Sequence, residues 1–211
     1  MIKHYYWPTP NGHTTAIMRE AVELEYEVCT LNILEGEQFD PAFIAISTNN
    51  RVPAIVDTEG PRGEPYAVFE SGAILMYLAE KTGQFLPTSA AARAKVMEWS
   101  FWQMSGLGPM MGQASYFINS APEQIPYAID RYISESARLM NVLNTQLADH
   151  EYVAGDYSIA DMLIYPWLSV GYELIKTAKP EVIGEGAHVG RWLKLVGDRP
   201  AVQKGMLVPV V

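Results

Sequence analysis

Asn49-Asn50-Arg51-Val52-Pro53-Ala54-Ile55-Val56-Asp57 is the stretch on which the fold turns. Ala54 to Asp57 is the short apolar run of a buried strand, and Pro53 stands at its first position, where a strand tolerates a residue without an N–H. Two geometries of the Val52-Pro53 bond follow. A cis bond turns the chain and presents the Val52 N–H and C=O outward, as an edge that an extended peptide can join. A trans bond simply opens the strand, and since only about one X-Pro bond in twenty is cis in folded proteins, the residues alone favour trans.

Working outward, Ile2 to Tyr6 reads as a first strand stopped by Pro8 and Pro10. Ile17, Ala21 and Leu24 then repeat at helical spacing over Thr14 to Leu24, with Asn11 a plausible N-cap. Cys29, Leu31 and Ile33 share one parity, which predicts a second strand over Tyr26 to Ile33. Gly36 to Phe39 is a loop, and Asp40-Pro41 starts a short helix. Beyond the central strand, the turn-rich Glu59 to Pro65 leads to a last strand, Tyr66 to Phe69, and Glu70-Ser71-Gly72 opens a helix that ends near Lys81 and Gly83. The order is βαβαββα.

After Gln84 to Ser89 the strand signals vanish, so the chain divides into residues 1–83, a linker at 84–89, and an all-helical domain at 90–211. Ala90 to Met111 is helical with a kink or stop at Gly106-Leu107-Gly108-Pro109. Glu123 to Leu147 is the cleanest amphipathic stretch and carries Arg131, Glu135 and Arg138 on its polar face. Ser158 to Asp161 has the form of a capping box, and Arg191 to Val196 is the last helical candidate.

A net charge of −9 in 211 residues argues against nucleic acid as a partner. No run approaches membrane-spanning length, and the amino terminus lacks the pattern of a secretory leader, so the expected location is cytoplasmic and no membrane partner is expected. The single Cys29 excludes an internal disulfide, a Cys-x-x-Cys pair and a thiolate zinc site, and the four histidines show no metal-ligand spacing, so no metal is expected.

Three element ends in the first domain, Thr9 to Gly12, Arg51 to Pro53 and Glu70-Ser71, together with the loop at Gln38, are placed to surround one cleft. Ser71 at a helix N-terminus suits a carboxylate and Glu70 a primary ammonium, the two ends of an α-amino acid. Arg51 suits a second carboxylate. The implied ligand is a short anionic peptide.

The chain resembles the glutathione transferases, and within them the bacterial Nu-class proteins and their disulfide-bond reductase relatives. The resemblance runs nearly end to end. It rests on Thr9 to His13, Gly36 to Phe39, Asn49 to Asp57 and Phe69 to Leu75, and continues through Gly106 to Met110, Ile125 to Tyr132, Ala154 to Asp161 and Arg199 to Val202. It implies a thioredoxin-like N-terminal domain, an all-α C-terminal domain, a homodimer with glutathione held between the domains, and a cis Val52-Pro53 bond. By position it implies that Glu70 and Ser71 take the γ-glutamyl end, Val52 with Pro53 the cysteinyl backbone, and Gln38 and Arg51 the glycyl end. Arg131 matches an arginine that reaches the ligand from the helical domain; its ordinary reading is a surface pair with Glu135.

A free thiol is mostly protonated at neutral pH, and lowering its pKa by about two units requires roughly 2.7 kcal/mol of preference for the thiolate. One or two donors suffice. Thr9 and Asn11, at the mouth of the first helix, are the catalytic candidates, with Tyr5 and Tyr6 as second choices. The family's cysteine-using classes place a cysteine in the first loop, where this chain has Thr9, Pro10 and Asn11, so that mechanism is excluded. The expected activity is glutathione-dependent disulfide reduction, yielding oxidised glutathione, with or instead of conjugation to a small electrophile. The alternative is a non-catalytic ligand-binding or regulatory protein.

Overall fold

In the computed structural model, which describes residues 1–208, strand β1 (Ile2–Tyr6) alternates buried and half-buried residues, as its period-2 pattern requires. It pairs in parallel with β2 (Tyr26–Thr30) and antiparallel with β3 (Ala54–Asp57), which pairs antiparallel with β4 (Tyr66–Phe69). The four-stranded order is β2-β1-β3-β4. The parallel pair needs a crossover, and helix α1 (Pro10–Ala21) supplies it. Helix α2 (Pro41–Ile44) starts at the expected Asp40 cap, whose side chain accepts from the Ala42 N–H at 2.7 Å. Helix α3 (Ser71–Thr82) ends on Gly83 in the left-handed conformation, which glycine adopts without a Cβ clash.

Two local readings change. The N-cap of α1 is Thr9, not Asn11: the Thr9 side chain accepts from the Gly12 N–H, and Pro10 then occupies the first helical position. Strand β2 stops at Thr30 instead of reaching Ile33, because the Glu37 carboxylate takes the Asn32 N–H at 2.6 Å and bends the chain.

The chain forms two compact units, Met1–Leu86 with the stretch from Asp198 onward, and Pro87–Gly197. The segment from 198, expected within the helical domain, thus belongs with the sheet. It carries helix α10 (Pro200–Met206), which packs on α1 so closely that a Cβ at Gly205 would lie 2.6 Å from the Ile17 Cα. The last three residues of the expected domain lie outside the described ones.

The helical unit begins with α4 (Ala90–Trp102), passes through a π-helical stretch at Gln103–Leu107 and continues as α5 (Gly108–Asn119), so the expected kink is a π-bulge. Then come α6 (Pro126–Gln146), α7 (Ile159–Ala178), the single turn α8 (Pro180–Ile183) and α9 (Ala187–Gly197). The Ser158–Asp161 capping box is formed as read from the sequence. The buried Asp161 carboxylate also accepts from Trp192 Nε1 at 2.9 Å, tying α7 to α9. No helix among the described residues is long and apolar enough to cross a membrane.

Candidate functional site

Strand register brings four segments to one end of the sheet. Tyr5 pairs with Ala54 and Ala54 with Phe69, so the loop after β1, the residues before β3 and the start of α3 share that end. Because β2 is parallel to β1, with Thr30 opposite Tyr6, the turn holding Gln38 leaves from the same end. Thr9, Asn11, Gln38, Arg51, Val52, Pro53, Glu70 and Ser71 are therefore on one rim.

The Val52-Pro53 bond is cis, as the family resemblance implied. The Val52 side chain packs against the cluster of Leu31, Phe43 and Ala54. Its N–H and C=O make no hydrogen bond among the described residues, which leaves a short unpaired backbone edge. Ser47 braces this loop by donating its hydroxyl to the Arg51 carbonyl at 3.1 Å. The Arg51 guanidinium is exposed and unpaired among the described residues. The Gln38 Oε1 is buried and likewise accepts no hydrogen bond there.

Across the rim, Glu70 precedes α3 with φ 73° and ψ 121°, a backbone state that a residue bearing a Cβ rarely adopts. Strain of this kind costs about 1–3 kcal/mol and collects at ligand clamps. The Glu70 side chain does not cap the first turn of α3, whose opening residue Ser71 is 2% exposed. The Glu70 carboxylate accepts from Asn49 Nδ2 at 3.3 Å, a partner that sequence reasoning did not single out. The positive end of a helix and a carboxylate thus stand side by side, a pairing suited to a zwitterion.

At the third corner the Thr9 hydroxyl oxygen accepts from the Gly12 N–H at 3.1 Å and has no other hydrogen-bond partner among the described residues. Its hydrogen is left to donate. A Cβ at Gly12 would lie 2.2 Å from the Trp7 carbonyl oxygen, so only glycine allows this loop to close on the helix. Asn11 is half-buried in the same first turn.

Of the second-choice tyrosines, Tyr6 is a core residue and Tyr5 is half-buried against the cluster of Leu31, Phe43 and Ala54. Tyr6 is fully buried, its hydroxyl lies 2.9 Å from His13 Nδ1, and burial raises its pKa. Tyr5 packs its ring on Phe43 at 5.7 Å, and its pKa is raised first by burial. Cys29 lies on the edge strand β2, and burial, then the nearby Glu27, push its thiol pKa up, against a role as thiolate. No group of three or more His, Cys, Asp or Glu that could hold a metal occurs among the described residues.

Arg131 belongs to the helical unit, on α6, where it is exposed and makes no hydrogen bond or ion pair among the described residues. The alternative reading of Arg131, a surface pair with Glu135, is not formed among the described residues, since Glu135 binds Arg138 through two hydrogen bonds of 2.9 and 2.7 Å.

Residues 1–80 match the family model described as glutathione S-transferase, N-terminal domain. Together with its full-length relatives, this match shows that the chain belongs to the glutathione S-transferase family. It is 44% identical over 209 residues to the disulfide-bond oxidoreductase YfcG of Escherichia coli strain K12, covering 98% of this chain and 95% of that relative. With the disulfide-bond oxidoreductase YghU of the same organism it shares 43% over 211 residues, 95% of this chain and 72% of the relative. A glutathione transferase from Pseudomonas putida, solved with one glutathione disulfide bound per subunit, superposes with a TM-score of 0.92 at 41% identity, covering 99% of this chain and 91% of that one. A family member from Pseudomonas fluorescens Pf-5 with two glutathione bound gives the same TM-score at 38% identity, covering 99% and 93%.

Proposed function

We propose that this chain is a glutathione-dependent disulfide-bond reductase. The observation that carries the reading is the Thr9 hydroxyl, oriented by the Gly12 N–H so that its hydrogen remains to donate to a thiolate. Around it, the Val52 backbone edge suits the cysteinyl residue of glutathione, Glu70 and the first turn of α3 suit the γ-glutamyl ammonium and carboxylate, and Arg51 with Gln38 suit the glycyl end. Asn11 is a second donor toward the sulfur, and Arg131 a further contact to the ligand. The disulfide-bond oxidoreductases among the relatives and the glutathione-bound neighbours support the same choice.

The reaction needs two glutathiones because Cys29 is the chain's one cysteine. A bound glutathione thiolate attacks one sulfur of the substrate disulfide, giving a mixed disulfide and a thiolate that takes up a proton. The thiolate of a second glutathione attacks the glutathione sulfur of that intermediate, releasing oxidised glutathione and the second substrate thiol. The reading includes a homodimer, a cytoplasmic location and neither a metal nor a nucleic-acid partner; exposed Phe101 on α4 and Tyr116 on α5 offer apolar surface for the dimer.

The test is glutathione-dependent reduction of a small symmetrical disulfide by the parent protein and by Cys29→Ala. Equal turnover in both is expected. No turnover in either, with conjugation of a carbon electrophile, would make the chain a transferase of the conjugating kind; glutathione binding without either reaction would make it a binding protein.

A further inference from the structure

A line of hydrogen bonds runs through the first unit and ends on Thr9. Arg19, 2% exposed, places Nη1 2.7 Å from Nδ1 of His4, itself 1% exposed. The His4 Nε2 lies 2.7 Å from Thr15 Oγ1, and the Thr15 hydroxyl donates to the Gly12 carbonyl at 2.9 Å. That carbonyl shares a peptide unit with the His13 N–H, which donates to the Thr9 carbonyl at 2.9 Å, while the Gly12 N–H donates to Thr9 Oγ1.

Chemistry fixes the direction of every step. A guanidinium only donates, so His4 Nδ1 carries the lone pair and Nε2 the proton. The Nε2–H therefore donates to Thr15, whose own hydrogen goes to Gly12. Burial, then the Arg19 charge, hold the His4 pKa well below the usual histidine value, so the ring stays neutral and the direction does not reverse.

Arg19 is also an expensive residue to keep inside. Its Nε and Nη2 have no hydrogen-bond partner among the described residues, the Tyr26 ring covers the guanidinium at 3.4 Å, and Glu20 approaches Nη2 only to 3.7 Å. A buried cation so sparsely bonded is weak support for stability.

We propose that Arg19, His4 and Thr15 are positioning residues for the disulfide chemistry: as a one-way hydrogen-bond chain they hold and polarise the first turn of α1, so that Thr9 offers its hydroxyl hydrogen to the thiolate. The inference rests on the reading of Thr9 as the thiolate's donor.

The test compares Thr15→Val, which removes the hydroxyl, with Thr15→Ser, which keeps it, each alone and together with Thr9→Ala. The readouts are kcat and KM for glutathione in disulfide reduction, and the pKa of the bound glutathione thiol from thiolate absorbance. Thr15→Val is expected to lower kcat about tenfold and raise that pKa by about one unit, the scale of one hydrogen bond, with KM within about twofold. Thr15→Ser is expected to restore both, and Thr15→Val to add nothing once Thr9 is alanine. Parental kcat and pKa in Thr15→Val, or an undiminished effect in the Thr9→Ala background, would overturn the proposal. Thr9→Ala without any effect of its own would instead remove Thr9 from the mechanism, so the two failures are distinct. Should Thr15→Val not fold, His4→Asn, whose amide oxygen accepts from Arg19 without reaching Thr15, meets the same expected and overturning results.

Discussion

Replacing Lys81 with methionine tests how the rim proposed to hold glutathione is kept in shape. Asp57 closes β3 at the end of the sheet opposite the rim, with 0% exposure, and its carboxylate accepts from Lys81 Nζ at 2.6 Å, Tyr77 Oη at 2.6 Å and the Glu59 N–H at 3.0 Å. Since Val52 leads into β3 and Ser71 opens α3, this cluster locks the far ends of the strand and helix whose near ends lie on the rim. Removing one partner of a fully buried ion pair costs about 3–5 kcal/mol. Here the Lys81 side chain is 32% exposed, and two neutral donors remain, so the loss is nearer that of one charged hydrogen bond, about 2 kcal/mol. At roughly 2–4 °C per kcal/mol for a chain of this size, Tm falls by about 4–8 °C.

The pH dependence has a definite sign. Burial pushes the Asp57 carboxyl up, but Lys81, Tyr77 and the Glu59 amide together pull it down by more, so its folded pKa lies below the unfolded value. The folded state then binds fewer protons, and the stabilisation is complete above the unfolded pKa of about 3.9 and lost as pH falls through the folded one. Thermal unfolding followed by circular dichroism, from about pH 7 down to about pH 3, is expected to show the gap between parent and Lys81→Met closing in the acid range. A gap absent at neutral pH, or constant throughout, would refute the reasoning. Asp57→Asn combined with Lys81→Met is expected to recover part of the loss, since no unpaired charge is left inside.

Thr9→Ala is expected to raise the pKa of bound glutathione and slow turnover while leaving glutathione affinity nearly intact, as read by thiolate absorbance and calorimetry. Gly12→Ala, whose Cβ would meet the Trp7 carbonyl oxygen at 2.2 Å, is expected to distort the loop and lower both affinity and rate; parental kinetics would show that the loop yields freely. Glu70→Gly and Glu70→Gln separate strain from charge. Both are expected to weaken glutathione binding about ten- to a hundredfold, one charged hydrogen bond, yet only the glycine variant, freed of the strain at φ 73°, is expected to gain about 1 kcal/mol in stability.

Much of the first unit was legible because its apolar runs are short and bounded by turn residues. Ala54–Asp57 and Tyr66–Phe69 were found at their observed limits for that reason. The helix cap moved from Asn11 to Thr9 because two good capping residues flank Pro10, and composition does not choose between them. The rim residues were legible as types suited to a peptide's charges, but that they share one end of the sheet depends on strand register. The Arg19–His4–Thr15 line left only a faint signal, a histidine with the inward parity of β1, since its members meet through tertiary packing. The docking of α10 left none, because its closest contact is made by Gly205, which has no side chain to advertise it.

That docking gives the protein an order of completion. The face of α1 that receives α10 belongs to a sheet unit whose other elements are all synthesised before residue 87, yet its last piece leaves the ribosome only after the whole helical unit has been made. Domains usually fold from the N-terminal end as they emerge, but this one must wait with the backbone of Ile17 uncovered. A nascent chain that ends before residue 198 therefore holds a full complement of rim residues but lacks the helix that covers the backbone of Ile17.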